Sequence, residues 1–93
     1  MKVVKLNRRF RQFKEAGHTV ALRFEHGHTP DSVAIEKVCR NRLKDNGWNR
    51  NHSWYSYYGD RPKRDVVRPF WITFRNEADL TLVLLSADLT QND

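Results

Sequence analysis

One cysteine, Cys39, stands in the 93-residue chain. Alone it excludes an intramolecular disulfide and any structural metal site built from several thiolates, and it fits a reducing compartment. No run of ~18 apolar residues exists, so no membrane-spanning helix and no membrane partner are expected. The longest apolar cluster, Leu80–Leu85, is interrupted by Thr81. The start Met1-Lys2-Val3-Val4-Lys5-Leu6 turns basic at once and lacks the apolar region of a secretory signal, so the expected location is the cytoplasm. There is no P-loop, no Gly-x-Ser-x-Gly elbow, no His-Glu-x-x-His and no dinucleotide glycine pattern. These absences predict a nonenzymatic protein with no cofactor.

A metal is not expected either. His26-Gly27-His28 is the one metal-like pair, with His52, Cys39 or Asp31 as conceivable further ligands, but the ligand spacing of structural zinc sites is missing. His18 precedes His26 by eight strand residues, roughly 26 Å at ~3.3 Å per residue. A nuclease using His28, Glu25 or Asp31 is the enzyme alternative.

Basic charge is plentiful and uneven. The net charge is +6. Residues 1–17 hold six Lys/Arg against one Glu, and residues 47–75 hold six against two Asp. Residues 76–93 hold four acids and no base. Such clustering suits a polyanion partner, and it also serves plain solubility. Aromatic residues are as concentrated, with eight of eleven between Trp48 and Arg75.

The length supports a single domain over 1–93: a basic N-terminal segment 1–17, an α+β core 18–87 and a frayed tail 88–93. Residues 2–6 suit a short strand. Helical spacing of Leu6, Phe10 and Phe13 predicts a helix over 7–16, capped by Asn7 and stopped by Gly17. Residues 18–26 alternate, with Val20, Leu22 and Phe24 on one face. A second helix is predicted from the Thr29-Pro30-Asp31 start to about Asn46. Its apolar arc is Ala34, Ile35, Val38, Cys39 and Leu43, with Arg42 inside the arc and snorkelling out.

Two aromatic strands are predicted near 51–58 and 67–75, joined by a basic loop. Asn76-Glu77-Ala78-Asp79 predicts a capped helical turn. Thr81–Leu85 is then read as a strand, in preference to a helix with Leu80, Val83 and Leu84 inward. Set apart from the N-terminal helix, the order is β-α-β-β-α-β. That is a ferredoxin-like antiparallel sheet with an extra N-terminal helix and a degenerate second helix.

In the strand 67–75, Phe70, Ile72 and Phe74 share the core face, and Trp71, Thr73 and Arg75 point the other way. Arg23 also points outward. On 51–58 the parity is open, with Trp54 and Tyr58 on one side and Tyr55 and Tyr57 on the other. The predicted binding surface is Arg23, Tyr55, Tyr57, Trp71 and Arg75, extended by loop residues Arg61, Lys63 and Arg64 and by Arg50 and Arg68 at the loop's base. Rings that stack on bases beside guanidiniums that meet phosphates suit single-stranded RNA or DNA. Two other readings stay open. The N-terminal helix can cover the face through Phe10 and Phe13, making the rings core. The rings can also anchor a protein interface.

Val67-Arg68-Pro69-Phe70-Trp71-Ile72-Thr73-Phe74 resembles the third strand of RNA-recognition-motif domains at Trp71, Ile72 and Phe74. The family's glycines and first exposed ring are absent, and membership is not assigned. The segments Phe10-Arg11-Gln12-Phe13-Lys14-Glu15-Ala16-Gly17, Phe70–Phe74 and Glu77-Ala78-Asp79-Leu80 resemble, in texture, small uncharacterised proteins of tailed phages. That resemblance implies a viral accessory role with no assigned activity, such as nucleic-acid handling, docking on a host protein, or a minor virion component.

Overall fold

The computed structural model describes residues 1–43, 53–60 and 67–91, with side chains up to residue 87. Its elements are β1 (Lys2–Lys5), α1 (Arg11–Ala16), β2 (Val20–Phe24), α2 (Pro30–Leu43), β3 (Trp54–Tyr58), β4 (Phe70–Phe74) and α3 (Glu77–Gln91). The fold is α+β, with one four-stranded antiparallel sheet in the order β1-β2-β4-β3.

Alternation along the strands decides what the sheet buries. Cross-strand rows Val20–Phe74–Trp54 and Phe24–Phe70–Tyr58 lie on one face, with Leu22–Ile72–Ser56 between them. α2 and α3 pack against each other and over this face. Phe74, Ile72, Leu22 and Trp54 are wholly excluded from water. Each such apolar side chain contributes roughly 1.5–3 kcal/mol by its burial. The open parity of the third strand resolves here: Trp54 is core, and Tyr55 and Tyr57 face outward.

α2 starts at Pro30, whose missing N–H costs nothing at a first helical position. Ser32 Oγ accepts from the Thr29 N–H at 2.9 Å, closing the first turn. Ile35 and Cys39 are buried, and Val38 and Leu43 pack on the core beside them. Arg42, predicted inside the apolar arc, is exposed.

Two expectations are overturned. Thr81–Leu85 is helix, because Leu80, Val83 and Ala87 recur at helical spacing and all three are buried. Asn76 Oδ1 accepts from the Asp79 N–H at 2.9 Å and caps that helix. The edge beside β2 is instead filled by the N-terminal strand β1. α3 continues to Gln91. Finally, α1 starts at Arg11 rather than Asn7. Asn7 Oδ1 accepts from Arg9 N–H in a turn that precedes the helix. Gly17 ends α1 as expected, at φ 71°.

Candidate nucleic-acid interface

The second face of the sheet carries the rows Val4–Ala21–Thr73–Tyr55 and Lys2–Arg23–Trp71–Tyr57. It is not an open platform. Phe10, at the start of α1, meets Trp71 edge-on at 5.8 Å. Ala21, Thr73 and His18 are fully buried and Gln12 nearly so. α1 has only six residues, too few to be stable alone. Its αL cap at Gly17 and the carbonyls of Gln12 and Phe13 that this turn satisfies tie it down.

Beyond the covered centre the rings stack on one another. Tyr55 and Tyr57 lie 5.5 Å apart at 19°, and Tyr57 and Trp71 lie 6.3 Å apart at 9°. Arg23 Cζ stands 5.5 Å from the Trp71 ring centre, a cation–π contact. The row therefore reads Arg23–Trp71–Tyr57–Tyr55, crossing three strands. All four residues are half-buried. Arg23 Nε is buried, with no hydrogen-bond partner among the described residues.

α1 and β3 diverge to leave a cleft of about 410 Å³, lined by Arg11, Gln12, Tyr55, Tyr57, Tyr58, Gly59 and Asp60. That volume falls within the ~300–1,000 Å³ range of ligand sites. Burial, then the neighbouring Tyr55 and the Asp60 carboxylate, push the Tyr57 hydroxyl up to about 12. It is therefore a neutral donor and acceptor near neutral pH. Gly59 closes the end of β3 by donating to the Pro69 carbonyl at 2.8 Å. A Cβ there would stand 2.6 Å from Trp71 Nε1, so only glycine lets the indole lie against the chain.

Arg23, Tyr55, Tyr57 and Trp71 thus come together. Arg75 does not join them: it is exposed past the far end of β4, about 13 Å along the strand from Trp71 at ~3.3 Å per residue. Arg68 is exposed ahead of β4. Arg50, Arg61, Lys63 and Arg64 lie outside the described residues. Sequence reasoning missed Gln12 and Asp60. Gln12 is polar and was set aside by a search for apolar spacing, and Asp60 read as one acid in a basic loop.

A second polar cluster sits at the helix-covered face. Glu36 is buried on α2. His28 Nε2 lies 2.5 Å from its Oε1, and Ser56 Oγ donates to its Oε2 at 3.3 Å. Arg40 approaches the same oxygen at 3.5 Å. The His28 ring packs 4.6 Å from Phe70. These contacts satisfy a buried carboxylate that would otherwise be costly. Among the described residues, no group of three or more His, Cys, Asp or Glu is placed to hold a metal ion, and no helix is long and apolar enough to cross a membrane.

Comparison with protein-family models, with curated proteins and with solved structures gives no match for this chain.

Proposed function

We propose that the protein is a nonenzymatic binding module that holds single-stranded RNA or DNA in the cleft between α1 and the ringed face of β3. One observation carries this reading: Tyr55 and Tyr57 present half-exposed, stacked rings in a cleft that Arg11 also lines. A base can extend such a stack, and base–aromatic stacking is worth ~1–3 kcal/mol per base. The turn before α1 and the helix itself add exposed Arg8, Arg9 and Lys14 for phosphates. Trp71 plays a different part from the one expected. Phe10, Tyr57 and Arg23 surround it, so it braces the row while Tyr55 and Tyr57 meet the ligand.

In this reading the sheet is a ferredoxin-like split βαβ in which the N-terminal strand β1 stands where the last strand would be. The compartment it implies is the cytoplasm, and the phage resemblance makes it the cytoplasm of a host cell. Fluorescence anisotropy with short labelled single-stranded RNA and DNA, at low and moderate salt, tests the function. Binding that weakens with salt is expected; no binding even at low salt ends the proposal.

A second reading has its own observation. Leu82 and Leu85 on α3 are 42% and 59% exposed, and the segment 76–93 holds four acids and no base. That stripe suits a basic, amphipathic segment of a host or virion protein. A partner captured after nuclease treatment, and lost on Leu85→Glu, favours it.

A further inference from the structure

We infer that the cleft between α1 and β3 is a guanine-selective subsite, with Asp60 as its specificity-determining residue and Gln12 as a second polar contact. The inference rests on the single-strand reading and names the base that reading leaves open. Its ground is the mixture of groups lining one concavity: the Tyr55 and Tyr57 rings, the Gln12 carboxamide, the Asp60 carboxylate and the Arg11 guanidinium.

A carboxylate in a cleft meant only for phosphate would be self-defeating, since like charges repel. An ionised carboxylate only accepts hydrogen bonds, and it accepts two at once from parallel donors. Among the four common bases, guanine alone offers two adjacent donors on its Watson–Crick edge, N1–H and the exocyclic N2–H. Adenine and cytosine set one amino donor beside an acceptor nitrogen, and uracil sets one N–H between two carbonyls. Asp60 therefore accepts from guanine and meets a lone pair on every other base.

Asp60 is available for this. It is exposed, and no described residue pairs with it. It lines the same cleft as the Tyr55 and Tyr57 rings, and its charge helps to raise the Tyr57 hydroxyl. Gln12 is the other half of the argument. Its residue is buried to 7% exposure, yet it lines the cleft. Its amide can donate to guanine O6 while Asp60 takes the opposite end of the same edge. The phosphate then falls on the side of Arg11, whose guanidinium is held 3.1 Å from Glu15 and is 70% exposed at the side chain.

The same edge is present in a strand and in free guanosine monophosphate, so the test separates them. Labelled oligouridine strands carrying no substitution, or one guanosine, adenosine or cytidine, are titrated against the wild-type protein and D60N, and free guanosine monophosphate is titrated directly by calorimetry. The guanosine strand is expected to bind the wild type about tenfold more tightly than the others, the discrimination of a good bidentate contact. D60N is expected to lose that preference while binding plain oligouridine as well or better, because a repelling charge is gone. Unchanged circular dichroism and melting temperature of D60N confirm that folding is not the cause. Equal binding of all strands overturns the guanine assignment, and a guanine preference that survives in D60N overturns Asp60 as its determinant; either result leaves the single-strand reading standing. Binding of the mononucleotide without any strand binding keeps the guanine site and overturns the single-strand reading. No binding of either overturns both.

Discussion

His18 Nδ1 lies 2.7 Å from Thr73 Oγ1, and both residues are fully buried between α1 and the sheet. The Thr73 hydroxyl donates to the Tyr55 carbonyl at 3.4 Å, which leaves its lone pair to accept from the His18 N–H. One hydroxyl thus links the segment after α1 to β4 and to β3, beneath the helix that roofs the cleft. Thr73→Val preserves the shape and removes the hydroxyl. It should cost about 1–3 kcal/mol, the usual effect of deleting one partner of a buried hydrogen bond. Urea unfolding of the two proteins reads this directly, and an unchanged midpoint would show that His18 is seated by its other contacts alone.

Trp71 and Tyr55 stand at different points of one stack and should fail differently. Trp71 is enclosed by Phe10, Tyr57 and Arg23. Trp71→Ala should lower stability on the order of 2–4 kcal/mol. Tyr55→Ala removes a ring that lines the cleft. It should lower affinity for a single strand by ~1–3 kcal/mol with the smaller effect on melting temperature. Paired melts and anisotropy titrations would contradict this if Tyr55→Ala bound as well as wild type.

Gly59→Ala places a methyl group 2.6 Å from Trp71 Nε1 and 3.2 Å from Pro69 Cγ. Overpacking of this sort typically costs 1–3 kcal/mol. Both the melting temperature and single-strand affinity should fall, because the indole braces the neighbouring tyrosines. Gly17→Ala serves as the contrast. Its Cβ would meet nothing within 4 Å, so only the strain of φ 71° is felt.

Alkaline pH should destabilise the fold through Tyr57. Its folded-state hydroxyl is raised from 10.0 to about 12, chiefly by burial. The folded protein therefore holds this proton more tightly than the unfolded chain does. The stabilisation is complete below pH 10 and is lost as pH rises from 10 toward 12. Urea midpoints measured across that window should fall less steeply for Tyr57→Phe than for wild type.

Burial likewise pushes the Cys39 thiol up, with the Glu36 carboxylate adding to the effect. The thiolate is the reactive form. Cys39 should therefore react with a disulfide reagent only as fast as the protein opens, and at once in denaturant. Rapid labelling of the folded protein at pH 8 would contradict its place in the core.

Much of the fold was legible in local chemistry. Val20, Leu22 and Phe24 alternate on a pleat whose two sides differ in burial, and period two needs no tertiary information. Pro30 and Asn76 mark helix starts because the first turn of any helix leaves N–H groups to satisfy. The segment after Asn76 was misread because Leu80, Leu82, Val83, Leu84 and Leu85 form a short apolar run, which periodicity alone cannot divide between strand and helix. The arrival of β1 at the sheet edge then removed the need for another strand there.

Sequence by itself determined the α+β class, the core parity of Phe70, Ile72 and Phe74, and the gathering of rings and positive charge in one part of the chain. Those are consequences of side-chain type and of backbone period, both local. Only the tertiary structure decided that α1 covers part of the second sheet face, that Trp71 is braced while Tyr55 and Tyr57 line a cleft, and that Gln12 and Asp60 line that same cleft. Gln12 and Asp60 are 48 positions apart in the chain, and their approach depends on how α1 docks and where β3 pairs. No pattern within either segment encodes that distance, because it is set by packing between elements that touch only in the folded protein.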